Sequence, residues 1–482
     1  MKKTMLTIGM FVAAVYAIAC TAFIAGKNAT VDGSMISARN EDLKGVNPKK
    51  FVIMKPAIHK RGEMFVNPDT GFKWPMPRKT LKYSILPDSD PSGGVFGEAG
   101  FNENGVSAST TVSANANDAI LKHDPYVKGG ITEPDMASLI LMSAKDARDG
   151  IKIIANIIDK VGAGEGNILV VADKNEMWYM EIYTGHQYVA VKVPDDSYAV
   201  FPNAYYLGNY DFNDKDVIAS KDIENLPKKH KLAKNSKNGK FHLALTYREE
   251  NSPYNVVRIQ QGQNYFTPSS PVKYDENATY ELFRKPDKKI SVEDVMNFLR
   301  YRYEGTEFDA NIAKNKGKVR PIGDESTLES HVIQMRKDKL SVMWLSMGTA
   351  EHSVYVPFYE NISKVPMTYR VDNNEYEPSS IYWAMKSLHI VARENRDFYT
   401  PGIRKHWSGI EKDFIAKQKE EDKKISQMSK KEAEQYANKI FAEKTSMVKK
   451  DADKMFSQLM KFAGNLTERK LIDNKKGFEF KK

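Results

Sequence analysis

The chain has 482 residues, 41% hydrophobic and 11% aromatic, which allows a large buried core and excludes a mainly disordered chain. Its net charge is +10, from 72 Lys and Arg against 62 Asp and Glu, but the cations are dispersed among acids, so a solvated surface is expected and no nucleic-acid partner. With one cysteine, Cys20, an internal disulfide is impossible.

The first element is a leader. Lys2 and Lys3 precede a short apolar run, Met5 to Ala19, with the small residues Ala17 and Ala19 at its end. This is the three-part pattern of a secretory signal peptide, expected over residues 1–19. The run is shorter than the roughly 20 residues of a membrane span, and no later stretch approaches that length. The expected mature chain starts at Cys20 and is exported to the periplasm or the cell exterior. It carries no integral membrane segment.

Thr21 to Ala25 is predicted as a strand, Gly26 to Ser34 as a turn region containing Asp32-Gly33, and Met35 to Asn40 as the returning strand. A turn centred between Ala29 and Thr30 pairs Cys20 with Arg39. From there to about Phe96 short strands and surface loops are expected, with Pro87 to Gly94 a loop. Ser107 to Val112 is predicted as a strand. A single helix opens at Glu133-Pro134-Asp135, shows the stripe Ile140, Ala144, Ala147, Ile151, Ile154 and Ile158, and stops at Gly162. Asn167 to Ala172, Met177 to Tyr183 and Gln187 to Val193 form an antiparallel meander. Pro194 to Lys285 is mixed, with a basic loop at Lys228 to Lys240. Ser291 to Tyr303 is helical. His331 to Arg336, Ser341 to Ser346 and Ser353 to Pro357 are strands. Ser380 to Arg396 is predicted as a helix, and so is much of Trp407 to Met460, whose Lys/Glu run lacks the sustained heptad of a coiled coil and is read as surface helix. Helix followed by meander points to layered α and β.

Cys20 carries the chemistry. Cleavage before it leaves a thiol and a free α-amine on one residue, a nucleophile beside a base. An α-amine titrates near ~7.7 to 8.0 and a thiol near ~8.5, so proton transfer between them is feasible near neutral pH. A neighbouring Arg39 favours the thiolate. Asp42 is placed to hold or orient the amine. Two other readings fit the junction: a lipid-anchored cysteine of a non-catalytic lipoprotein, and a buried structural thiol. A lipoprotein signal usually has Leu three residues before the cysteine; here that residue is Ala17.

The stretch from Cys20-Thr21-Ala22-Phe23 through Ser37-Ala38-Arg39-Asn40-Glu41-Asp42 resembles the start of the cysteine dipeptidases of the N-terminal-nucleophile (Ntn) hydrolase superfamily. The resemblance continues through Gly100-Phe101-Asn102-Glu103-Asn104-Gly105-Val106 and Ala172-Asp173-Lys174-Asn175-Glu176-Met177-Trp178. It covers Gly185-His186, Asn203, Ser252-Pro253-Tyr254-Asn255-Val256-Val257-Arg258 and the segment Trp344 to Pro357. It implies an α+β fold, a four-layer αββα sandwich of two antiparallel sheets, extended by C-terminal helices. The catalytic domain would span 20–400, with 401–482 a charged helical region packed on it.

By the same resemblance, Cys20 is nucleophile and base, and Arg39 and Asp42 occupy the family's Arg-x-x-Asp positions. Asn203 donates to the oxyanion, and Arg258 matches a second arginine. Where related amidases carry an asparagine after the Gly-x-Asn-Glu-x-Gly strand, this chain has Thr111, Val112 and Ser113, so no second oxyanion donor is assigned. The plain alternatives are a surface salt bridge for Arg39 and a turn role for Asn203. The nine histidines show no metal-ligand spacing and are expected to be structural. No metal, cofactor or nucleotide is expected. The expected substrate is a dipeptide or short peptide, with linear N-acyl amides as the alternative, and a homo-oligomer is compatible.

Overall fold

The computed structural model describes residues 20–43, 47–90, 96–110, 113–465 and 477–481. The expected leader, 1–19, lies outside them, as do 91–94 of the expected loop and 111–112 of the expected strand.

The described chain opens with the hairpin β1 (Thr21–Ala25) and β2 (Met35–Asp42). After short strand pairs come β3 (Ala99–Phe101) and β4 (Ser107–Thr110), then helices α1 (Glu133–Leu141) and α2 (Ala147–Val161). The meander follows as β5 (Asn167–Ala172), β6 (Met177–Ile182) and β7 (Tyr188–Lys192), then β8 (Tyr198–Phe201) and β9 (Val217–Ala219). Helices α3 (Pro253–Phe266) and α4 (Val292–Leu299) precede β10 (Thr327–Met335), β11 (Val342–Met347) and β12 (Val356–Tyr359). The chain then runs through α5 (Ile381–Ala392), α6 (Arg396–Ile425) and α7 (Lys430–Asn465).

Two six-stranded antiparallel sheets result, ordered β8-β1-β2-β10-β11-β12 and β9-β7-β6-β5-β4-β3. They face one another through β2 and β4. Helices α1 and α2 cover the second sheet; α3, α4 and α5 cover the first. The fold is therefore α+β, with the four αββα layers. The period of two along β6 shows how the layers are filled: Trp178, Met180 and Ile182 pack toward α2, while Met177 and Tyr179 belong to the core between the sheets.

The predicted helix from Glu133 to Gly162 is two helices. The apolar stripe is continuous and all six stripe residues are buried, so periodicity alone hides the break. The interruption comes from Asp146, whose side chain accepts from the Asp149 backbone N–H at 2.7 Å and starts α2 afresh. Gly162, at φ +79°, ends it as expected.

Helix α6 runs through residue 400 without a break. It is fastened to the sandwich by buried polar contacts. Glu411 accepts from both Arg300 Nη1, at 2.9 Å, and the Tyr355 backbone N–H, at 2.8 Å, and the Trp407 indole donates to the His352 carbonyl at 3.0 Å. Helix α7 packs on α5 and β12. Among the described residues no helix is long and apolar enough to cross a membrane.

Candidate active site

Cys20 lies buried immediately before β1. The hairpin register differs from the expected one. Ala22, not Cys20, stands opposite Arg39, and Thr21 opposite Asn40. The turn is longer because its side chains knit it: Thr30 Oγ1 donates to the Ser34 carbonyl at 2.6 Å, and Asp32 Oδ1 accepts from the Ser34 backbone N–H at 3.1 Å. The displacement is two residues, so side-chain parity is preserved and Arg39 keeps the face of the sheet that Cys20 occupies. Its guanidinium is the cation that most favours the Cys20 thiolate. Burial nevertheless raises the thiol well above its ordinary pKa; Arg39 pulls it down, while Glu133, Asp42 and Glu41 push it up.

Arg258 holds the backbone of Cys20. It projects from α3, which sequence reasoning missed. That helix buries Asn255, Arg258, Gln260, Gln261 and Gln263 along with its apolar residues, so no amphipathic stripe marks it. The available signal was Ser252-Pro253, a polar residue followed by proline at the first helical turn. Arg258 Nη1 donates to the Cys20 carbonyl at 2.6 Å and to Thr21 Oγ1 at 3.0 Å; Nη2 donates to Asn203 Oδ1 at 2.9 Å and Asn255 Oδ1 at 2.5 Å.

The chain of polar contacts continues outward. Asn203 sits just beyond β8, and its Nδ2 donates to the Ser113 carbonyl at 2.8 Å. Ser113 Oγ in turn donates to Glu133 Oε2 at 2.9 Å. The first residue of β1, the end of β8, the segment after β4 and the first turn of α1 thus meet around Cys20.

Arg39 reaches into a buried cluster between the sheets. It pairs with Glu98, and lies 3.7 Å from Glu329 and 4.0 Å from Glu133. Lys49 joins Glu41 at 2.7 Å, Asp88 at 2.5 Å and Glu98 at 3.2 Å. Among these described residues two cations serve five carboxylates, an arrangement that cannot stay fully ionised out of water. Burial, reinforced by Glu98, pushes Glu133 up to about 8, and burial likewise raises Glu41 well above the carboxylate range. His331, expected to be structural, is buried mid-strand. It contacts Glu329 at 3.0 Å and Ser109 of the opposite sheet at 2.8 Å, bridging the layers.

Asp42 lies on the other face of β2, three residues from Arg39. Its carboxylate accepts from Arg320 Nη2 at 3.0 Å and Thr327 Oγ1 at 2.6 Å. Burial pushes it up to about 6 against the pull of Arg320. The structure therefore brings Cys20, Asn203 and Arg258 into one bonded chain. It places Arg39 inward and Asp42 outward on either face of the same strand. Arg320, Glu98, Glu133 and Glu329 were missed. No spacing signals them, because they come from separate elements and converge only through the sheet packing.

The metal-compatible grouping among the described residues is elsewhere. Glu351, His352 and His389 offer ligand atoms within 4.8 Å of one another. Arg396 and Arg302 already pair with Glu351, at 2.9 and 3.8 Å, and these guanidiniums oppose a dication there.

The chain is similar to known proteins. The chain is 41% identical to a probable dipeptidase B of Streptococcus pyogenes serotype M3 over 482 aligned residues, 95% of this chain and 94% of the relative. It is 35% identical to a probable dipeptidase of Latilactobacillus sakei, covering 78% and 81% of the two chains. A solved variant of conjugated bile acid hydrolase from Clostridium perfringens is similar at 12% identity over 74% of this chain and 95% of that one, with a TM-score of 0.34. The model of peptidase family C69 matches residues 19–408, and the chain belongs to that family.

Proposed function

We propose that this chain is an exported cysteine dipeptidase, in the periplasm or outside the cell, whose mature form begins at Cys20. The observation that carries the reading is the placement of the lone thiol at the start of β1, with Arg258 on its carbonyl and Arg39 on its face of the sheet. Burial holds that thiol neutral, so it needs a base at hand. Removal of residues 1–19 supplies one on the same residue, the α-amine.

In this mechanism the Cys20 amine takes the thiol proton and the thiolate attacks the scissile carbonyl carbon. The Asn203 side-chain amide and a backbone N–H stabilise the oxyanion. Collapse breaks the C–N bond, and the ammonium of Cys20 gives its proton to the leaving amine. Water then attacks the thioester, releasing the first amino acid and the thiol. Arg258 fixes the Cys20 carbonyl and Asn203 Oδ1 together, which keeps nucleophile and oxyanion donor in register. Asn203→Ala is expected to lower kcat by about 100- to 1000-fold with little change in KM, measured by steady-state hydrolysis.

The reading is tested with a panel of free dipeptides and N-acyl amides, assayed in EDTA. Dipeptide turnover that survives the chelator is expected. Loss of activity in EDTA, or cleavage of N-acyl amides alone, would contradict it.

A further inference from the structure

The substrate's own charge has a counterpart in the inter-sheet cluster. In a dipeptide the carbon next to the scissile carbonyl carries an ammonium, so that ammonium must come to rest a few ångströms from the sulfur under attack. We propose that Glu133 receives it, making this carboxylate the residue that selects for a free amino terminus; the proposal rests on the dipeptidase reading above.

Three observations carry it. Glu98 and Glu329, the other carboxylates beside Arg39, have fully sealed side chains at 0% exposure, whereas the Glu133 side chain keeps 8% and its partner Ser113 is half-buried. Glu133 is therefore the member of that group that solvent reaches. Next, its carboxylate is fixed but not saturated in charge. Oε2 accepts from Ser113 at 2.9 Å, while Oε1 lies 4.0 Å from Arg39, beyond hydrogen-bond range. Finally, among the described residues the cluster has more carboxylates than cations, so a further cation is accommodated rather than crowded.

Glu133 is also the carboxylate that acts most strongly on the Cys20 thiol, and the bonded run through Ser113, Asn203 and Arg258 links it to the Cys20 carbonyl. Pushed up to about 8 by burial and Glu98, it is largely protonated at neutral pH. Arrival of the ammonium ionises it, and its proton goes to solvent. The same ionised pair discriminates by charge: an N-acylated substrate offers no cation and leaves the buried carboxyl neutral, with Ser113 as its hydrogen-bond donor.

The test compares kcat/KM for a dipeptide and for its desamino analogue, identical but for hydrogen in place of the α-amine. The wild type should prefer the dipeptide by at least about 100-fold. Glu133→Gln should bring that ratio below about 10, chiefly through a raised KM for the dipeptide. Should this variant not fold, Ser113→Ala loosens the carboxylate without removing it, and the ratio should fall about 2- to 10-fold. Equal losses on both substrates would overturn the proposal, since they would assign Glu133 to the enzyme's own amine or to the fold. An unchanged ratio in either variant, or no preference in the wild type, would also overturn it. A wild type that prefers dipeptides while both variants keep the preference leaves the dipeptidase reading standing without Glu133; a wild type that cleaves no dipeptide removes both.

Discussion

Cys20→Ala is expected to lower dipeptide turnover by at least about 10⁴-fold while leaving a folded protein. The loss is large because thiol and amine act as a unit: once the sulfur is gone, the amine has no nucleophile to activate, and binding alone contributes little. The informative partner is the wild-type sequence with one residue left in front of Cys20. That protein keeps the sulfur, its burial and every contact of Arg258, but its α-nitrogen is an amide and accepts no proton. It should be as inactive as Cys20→Ala. Active-site titration with a thiol reagent should show slow labelling, because the buried thiol stays neutral without the amine beside it. The checks are kcat on a dipeptide and circular dichroism for the fold.

Arg39→Leu is expected to be the most damaging single change to stability, by about 3–5 kcal/mol. The side chain is fully buried, and its removal leaves Glu98, Glu329 and Glu133 with Lys49 as the remaining cation of the cluster. Activity falls with it, because the charge that most favours the thiolate is lost. The pH dependence gives the cause away. The folded state holds Glu98 below its ordinary value: burial pushes it up, but Lys49 and Arg39 outweigh burial. A carboxylate depressed on folding stabilises the protein above its unfolded pKa, and that stabilisation disappears as pH falls through the folded one. The deficit of Arg39→Leu should therefore be largest near neutral pH and shrink in acid, below the ordinary glutamate range. Urea unfolding across pH measures it. A deficit that does not change with pH would point to lost packing of the side-chain stem instead.

The strands that build the site were legible because alternation and turn chemistry agree along them. Thr21–Ala25 and the meander from Asn167 come out at nearly the expected bounds, since each is a short apolar run followed within three residues by a turn residue: Gly26, Asp173, Gly185 and Pro194. The hairpin register was not legible to the residue. It depends on how Thr30, Asp32 and Ser34 bond inside the turn, which composition does not encode. That error left Arg39 on the correct face because it was even, so the charge beside Cys20 survived it. Helix α3 escapes notice for a different reason: its buried polar residues remove the amphipathic contrast that marks a helix. The same burial is what turns Arg258 and Asn255 inward, onto the Cys20 carbonyl and onto each other. Cys20, Arg39 and Asp42 are near neighbours in sequence and could be found from the expected cleavage junction. Glu98, Glu133 and Glu329 are separated by long stretches of chain, and only the stacking of the two sheets brings them to Arg39.

The covalent state of the first residue in the exported protein tests the account most directly. Intact mass and stepwise N-terminal sequencing, on protein recovered after secretion, read it in one sample. The account predicts a chain starting at Cys20 with an unblocked amine and no added mass. A chain that begins at any other residue, or a Cys20 carrying diacylglycerol or an acyl group, would contradict it.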